Sequence, residues 1–179
     1  MTGILLADDH RMVRDGLRAL IERQEDMKVV GEAGNGREAV RLALELKPDV
    51  VVMDIAMPDM NGLEATRRIT ASGEKPVVIA ISVYTDRQTV LRTLDAGASG
   101  YVPKVSAFAE LLRAIRAVVG GNVYVSPRVA DTVLQYRLRT GMRAEGEGVD
   151  ELTPREREFC NSLRKAPRAS RSAGGCTSA

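Results

Sequence analysis

The feature that most constrains the fold is an alternation of short apolar runs with amphipathic stretches, which continues from the N-terminus to about residue 119. Five runs predict short strands, at residues 4–7, 29–33, 50–53, 77–81 and 100–102. The third and fourth runs are apolar throughout, which is typical of strands covered on both faces of a parallel sheet. The intervening stretches repeat apolar residues at helical spacing. The sequence therefore predicts an α/β fold, a (βα)5 doubly wound parallel sheet of five strands.

Composition narrows the class of protein further. The 179 residues are 44% hydrophobic and 28% charged, with a formal net charge of +2, which is the profile of a soluble globular chain. No apolar run approaches the roughly 18 residues that a membrane span requires, and the first residues lack the basic segment of a signal peptide. The two cysteines, Cys160 and Cys176, both lie near the C-terminus, which excludes a disulfide framework in the core. We expect a cytoplasmic protein without a membrane partner.

Polar residues follow four of the five predicted strands. Asp8 and Asp9 come after the first strand, Asp54 after the third, Ser82 after the fourth and Lys104 shortly after the fifth. In doubly wound sheets the binding site lies beyond the carboxyl ends of the strands, so we expect these side chains on one rim. Crowded carboxylates favour a hard cation such as Mg²⁺. Because Ser82 and Lys104 could bind phosphoryl oxygens while a carboxylate attacks phosphorus, the sequence predicts a phosphoaspartate site.

The pattern changes after residue 120, and we divide the chain there. Residues 1–120 form the first domain, and residues 121–151 form a linker with one short helix, which Ser126 begins as N-cap. Residues 152–179 open with a capping box at Thr153, the signature of a further helix. The residues that follow are rich in serine, alanine and basic side chains and offer almost no apolar face. We expect a disordered basic tail.

Four segments identify a known family. Residues 6–10, 51–62, 80–82 and 100–104 resemble the receiver domain of two-component response regulators, in order and in spacing. The resemblance extends over nearly all of the first domain and implies a flavodoxin-like fold. Residues 152–158 look like the opening of a LuxR-type helix-turn-helix domain. By this resemblance, the chain is identified as a member of the NarL/FixJ family of transcriptional regulators.

The resemblance implies a role for each residue of the predicted site. Asp54 would be the phosphoacceptor, and Ser82 and Lys104 would bind the phosphoryl group. Tyr101 would be the aromatic switch, which turns inward when Ser82 moves toward the phosphate. Mg²⁺ would be the cofactor. Its implied ligands are Asp8, Asp9, Asp54 and the backbone carbonyl of Ala56.

The family also implies partners. A sensor histidine kinase would donate the phosphoryl group, phosphorylation would favour a homodimer, and an intact output domain would bind DNA. The resemblance implies a signalling protein that catalyses only its own phosphorylation and dephosphorylation, rather than an enzyme. The likeness ends after Phe159, where the composition becomes that of a GC-rich gene read out of frame. We expect a frameshift or a short basic tail, and we assign no DNA-binding residue.

Two other functions fit parts of the pattern. A stand-alone receiver would act through protein contacts alone, without DNA. A Mg²⁺-dependent aspartyl phosphatase would use a similar sheet, but such hydrolases place a second carboxylate two residues after the first, where this chain has Ala56. Ala56 and the bulky Tyr84 also depart from the commonest choices of the receiver family, at positions that govern access of the hydrolytic water. Because of these two residues, the sequence does not predict the lifetime of the phosphoaspartate.

Overall fold

A computed structural model of the chain describes residues 1–71 and 76–130. Within these ranges, six parallel strands form one sheet in the order β2-β1-β3-β4-β5-β6. The strands are β1 (Thr2–Ala7), β2 (Met27–Ala33), β3 (Val50–Asp54), β4 (Val77–Ser82), β5 (Gly100–Pro103) and β6 (Tyr124–Val125). The helices are α1 (Arg11–Ile21), α2 (Gly36–Leu46), α3 (Gly62–Thr70), α4 (Arg87–Asp95) and α5 (Ala107–Val119).

Helices cover the sheet on both faces. One apolar cluster joins the strands to α1 and α5, through residues such as Leu17 and Leu111. A second cluster joins the opposite face to α2 and α3. Along β3 the side chains alternate between the two clusters, Val52 in the first and Val51 in the second, and both are at most 1% exposed. The predicted doubly wound parallel sheet, with central strands buried on both faces, is confirmed.

Side-chain caps fix where three of the helices begin. Asn35 precedes α2 and its side chain accepts a hydrogen bond from the Glu38 amide. Asn61 caps α3 in the same way, and Asp86 caps α4 through the Thr89 amide at 3.0 Å. Such caps satisfy amides that have no partner inside the helix. α3 begins eight residues after the end of β3, and α4 begins five residues after the end of β4.

The sixth strand was not predicted. Residues 124–125 pair with β5 in parallel, so Tyr124 lies opposite Gly100 and Val125 opposite Tyr101. Two residues are too short for a recognisable strand pattern, and the pairing depends on where the chain returns after α5. Helix begins again after Ser126, whose carbonyl accepts hydrogen bonds from the amides of residues 129 and 130. The Ser126 hydroxyl forms no hydrogen bond among the described residues, so the predicted side-chain cap is not seen there.

The remaining predictions for the C-terminal part lie outside the described residues. They concern the linker beyond residue 130, the capping box at Thr153 and the basic tail. In the part of the chain that the structure describes, no helix has the length and apolar character needed to span a membrane.

Candidate functional site

The parallel register brings the ends of four strands to one edge of the sheet. In the pairing of β1 with β3, Ala7 lies opposite Met53, so Asp8 and Asp54 follow level positions. In the pairing of β4 with β5, Ser82 lies opposite Pro103, directly before Lys104. The predicted rim of polar side chains is therefore present, because parallel strands direct all their carboxyl ends to the same edge.

Lys104 lies between two buried carboxylates. Its Nζ donates a hydrogen bond to Asp54 Oδ2 at 2.6 Å and lies 2.8 Å from Asp8 Oδ2. The lysine side chain is 15% exposed, and the two aspartates are 1–2% exposed. Burial alone would lower the pKa of the Lys104 ammonium, but its contacts with Asp54 and Asp8 outweigh burial and raise the pKa above its ordinary value. Lys104 therefore remains charged at neutral pH.

The two carboxylates use their oxygens differently. Asp54 Oδ1 accepts a hydrogen bond from the Ala56 amide at 3.1 Å, and Oδ2 accepts from Lys104. Asp8 Oδ1 accepts from the His10 amide at 2.8 Å. Asp8 Oδ2 forms only the ion pair with Lys104, outside hydrogen-bond geometry, and accepts no hydrogen bond from the described residues. A buried anionic oxygen with an unfilled lone pair is suited to a further cationic partner.

Asp9 and His10 complete the acidic cluster on its exposed side. His10 Nδ1 lies 2.7 Å from Asp9 Oδ1 and 3.3 Å from Asp8 Oδ1. One ligand atom from each of Asp8, Asp9, His10 and Asp54 lies within 4.8 Å of the others. Three carboxylates against the Lys104 ammonium leave a formal charge of −2, and a set of carboxylate oxygens suits a hard divalent cation. The donors present therefore fit Mg²⁺.

Ser82 and Tyr101 are linked through the backbone of residue 84. Ser82 Oγ, which is fully buried, accepts a hydrogen bond from the Tyr84 amide at 3.1 Å. The Tyr101 hydroxyl donates to the Tyr84 carbonyl at 2.6 Å. Burial of the Tyr101 ring raises the pKa of its phenol. The ring is 0% exposed and lies inside the protein.

The two positions that depart from the family pattern are both exposed. Ala56 is exposed and contributes its backbone amide to Asp54. Tyr84 is 53% exposed, while its backbone joins Ser82 to Tyr101.

Two residues near the site were missed from the sequence. Arg14 on α1 donates a hydrogen bond to the backbone carbonyl of Asp8 at 2.6 Å, and its guanidinium also contacts Glu32 on β2. Charged residues on a surface helix usually face solvent, so the helical spacing of Arg14 gave no signal. The only signal in the sequence was Glu32, a charged residue near the end of the second predicted strand, which indicated a partner for a basic side chain.

The comparisons with known proteins agree with this fold. A family model described as the response regulator receiver domain matches residues 4–116. Its match covers well over half of the chain, and the chain belongs to the response regulator receiver family, a class of two-component signalling proteins.

Three similar proteins illustrate the membership of this family. The chain is 42% identical over 159 residues to the transcriptional regulatory protein LiaR of Bacillus subtilis, an alignment that covers 89% of this chain and 74% of LiaR. It is 42% identical over 130 residues to the response regulator GacA of Pseudomonas viridiflava, covering 73% of this chain and 61% of GacA. A crystal structure of a LuxR-family two-component response regulator from Aurantimonas sp. SI85-9A1 matches with 40% identity and a TM-score of 0.73, over 77% of this chain and 99% of that one.

Proposed function

We propose that this chain accepts a phosphoryl group from a sensor histidine kinase on the Asp54 carboxylate, in a Mg²⁺-dependent reaction. The observation that carries the proposal is the buried Asp54 carboxylate, hydrogen-bonded to the Lys104 ammonium within an acidic cluster at the carboxyl edge of the sheet. A buried cation beside a nucleophilic carboxylate offers the incoming phosphoryl oxygens a partner that is already in place.

The metal would be held by the side chains of Asp8, Asp9 and Asp54 and by the backbone carbonyl of Ala56. The buried Asp8 oxygen that accepts no hydrogen bond among the described residues supports this assignment. When bound, Mg²⁺ supplies positive charge that offsets both the crowded carboxylates and the phosphoryl oxygens.

The residues of the chain would perform the transfer as follows. One oxygen of Asp54 forms a bond to phosphorus as the bond between phosphorus and the histidine nitrogen of the kinase breaks. The electron pair of that bond leaves with the imidazole, which takes up a proton. Lys104 and Ser82 bind the phosphoryl oxygens, so the Lys104 ammonium exchanges its bond with Asp54 for one with the new anionic group.

Removal of the Asp54 carboxylate tests the proposal. Incubation of the wild-type chain with acetyl phosphate and Mg²⁺ should add one phosphoryl group, acid-stable and labile to hydroxylamine, as detected by intact-mass spectrometry. Asp54→Ala should abolish the addition. Asp59→Asn, at an exposed loop residue, is the control and should label as wild type. Equal labelling of Asp54→Ala would refute the assignment of the phosphoacceptor.

We further propose a transcriptional output, with phosphorylation favouring a homodimer. The name of the LiaR relative, a transcriptional regulatory protein, supports a link to transcription. The competing function is a receiver that acts through protein contacts alone. A gel-shift assay near physiological salt separates them, since a sequence-specific complex with promoter DNA supports transcriptional output, and binding that is only nonspecific and salt-sensitive supports the alternative.

A further inference from the structure

An arginine that the proposed reaction does not use contacts the backbone of the acidic pair. The Arg14 side chain, 16% exposed, extends from α1 toward the carboxyl ends of β1 and β2. Its Nη1 donates to the Asp8 carbonyl at 2.6 Å, and its Nε donates to Glu32 Oε2 at 3.0 Å. One guanidinium therefore joins the backbone carbonyl of Asp8, at the end of β1, to a carboxylate on the neighbouring strand β2.

Glu32 is held in its charged form by two arginines. Besides Arg14, Arg18 lies 2.6 Å from Glu32 Oε1 through both Nε and Nη2. Burial opposes ionisation of Glu32, but hydrogen bonds from Arg14 and Arg18 outweigh it and lower the pKa of the carboxyl group. Since the anion is fixed on one side by Arg18, it can in turn fix the orientation of the Arg14 guanidinium.

The Asp8 carbonyl is the group for which this orientation matters. The Asp8 amide continues the pairing of β1 with β2, donating to the Ala33 carbonyl at 3.1 Å. Beyond it the chain leaves the sheet, and the carbonyl bonds to a side chain, that of Arg14. That carbonyl belongs to the peptide unit between Asp8 and Asp9, so its direction sets the directions in which both carboxylates leave the backbone.

We infer that Arg14, oriented by Glu32, is a positioning residue for the divalent-cation site: it fixes the Asp8–Asp9 peptide so that both carboxylates face the cation. The inference rests on the proposed function, because it requires that the acidic cluster bind Mg²⁺. Groups that orient metal ligands without touching the metal commonly change affinity by about 10-fold or more when they are removed. A clamp that only attached α1 to the sheet would change stability and leave the affinity of the folded protein unchanged.

The test measures Mg²⁺ affinity by isothermal titration calorimetry, at a temperature where circular dichroism shows each variant to be folded. Arg14→Met should raise the dissociation constant for Mg²⁺ about 10-fold. Arg14→Lys, which keeps the charge and one donor, should recover part of that loss. Arg18→Met removes a contact to Glu32 but none to Asp8, and should raise the constant less than Arg14→Met does. Arg11→Met, on the exposed side of α1, is the matched control and should bind as wild type.

Each outcome has a defined meaning. A folded Arg14→Met protein that binds Mg²⁺ within 2-fold of wild type overturns the inference. If Arg14→Met does not fold, Glu32→Gln and Arg14→Lys decide it, and wild-type affinity in both overturns it. Equal losses in Arg14→Met and Arg18→Met would also overturn it, because the contact with Asp8 would then have no particular effect. A wild-type chain without Mg²⁺ affinity would contradict the proposed function and, with it, this inference.

Discussion

Gly62, the first residue of α3, packs against the backbone of the proposed phosphoacceptor. Its amide donates a hydrogen bond to the Ile55 carbonyl at 3.0 Å. A β-carbon at this position would overlap the Asp54 carbonyl oxygen, a backbone atom that cannot move without displacing the end of β3. Glycine is therefore required here by close approach, since the loop from β3 to α3 folds back onto the strand that carries Asp54.

This close approach predicts a costly substitution. Gly62→Ala should lower the free energy of unfolding by about 3 kcal/mol, because the added methyl forces backbone apart. Gly34→Ala is the control, since the nearest neighbour of its β-carbon, the Glu38 carboxylate, lies 3.9 Å away. Urea unfolding of both variants measures the difference, and a loss in Gly62→Ala no larger than that in Gly34→Ala would contradict the packing described.

At the scale of elements, the ends of β4 and β5 are joined through residue 84. Ser82 bonds the Tyr84 amide and Tyr101 bonds the Tyr84 carbonyl, so a displacement of Ser82 would be felt by the tyrosine ring. A bound phosphoryl group would offer the Ser82 hydroxyl a charge-assisted hydrogen bond. The Tyr84 amide would then lose its hydrogen bond to Ser82 Oγ.

This linkage predicts a specific spectroscopic change. Beryllofluoride with Mg²⁺ should move the amide resonance of Tyr84 and those of β5, including Tyr101, as observed by two-dimensional NMR. Ser82→Ala should still bind beryllofluoride but lose the change at Tyr101. Unchanged wild-type resonances over residues 82–104 at saturation would exclude the coupling.

The short strand β6 attaches the segment after α5 to the sheet. The Tyr124 hydroxyl donates to Glu110 Oε2 on α5 at 3.1 Å, and the Ser126 amide donates to the Tyr101 carbonyl at 2.9 Å. Burial, followed by the negative charge of Glu110, raises the pKa of Tyr124 from 10.0 to about 12. The neutral phenol is thus favoured by folding.

The sign of the resulting pH dependence is fixed. Above pH 10 the unfolded chain loses the Tyr124 proton while the folded chain keeps it, so this contribution to stability is complete below pH 10 and lost by about pH 12. Tyr124→Phe should therefore show a shallower alkaline decline in the free energy of unfolding, measured by urea titration across that range. Tyr84→Phe, at a half-exposed ring, is the control. An unchanged slope in Tyr124→Phe would contradict the assignment.

For the whole molecule, the acidic edge of the sheet opposes folding unless cations balance it. Lys104 neutralises one of the three clustered carboxylates. Repulsion among the others is present in the folded state and largely absent when the chain unfolds. A cation that binds only the folded state stabilises it by mass action.

Melting should therefore depend on Mg²⁺. At a concentration 100 times the dissociation constant, Mg²⁺ should add about 2.7 kcal/mol, which corresponds to a rise in Tm of about 10 °C for a chain of this size. Asp9→Ala should lose most of this rise, because it removes one of the carboxylates that we propose as ligands. Differential scanning fluorimetry checks this, with NaCl at matched ionic strength as the control for screening. Equal rises in wild type and Asp9→Ala would remove Asp9 from the site.

Local patterns in the sequence were enough to predict the main strands and helices and the polar side chains at the carboxyl edge of the sheet. Uninterrupted apolar runs such as that of β3 indicated buried parallel strands, because burial on both faces allows no polar alternation. A parallel sheet then places Asp8, Asp54, Ser82 and Lys104 at one edge, because every carboxyl end lies there. These conclusions need only residue type and periodicity, which a sequence carries directly.

The tertiary structure decided the contacts between residues that are far apart in sequence. The hydrogen bonds from Arg14 to the Asp8 carbonyl and to the Glu32 carboxylate depend on how α1 crosses the ends of β1 and β2. The pairing of β6 with β5 and the buried ring of Tyr101 depend on where the chain returns after α5 and on the space beside β4. A charged or aromatic side chain has the same local pattern whether it meets solvent or a partner, so the distances that define this site arise from packing alone.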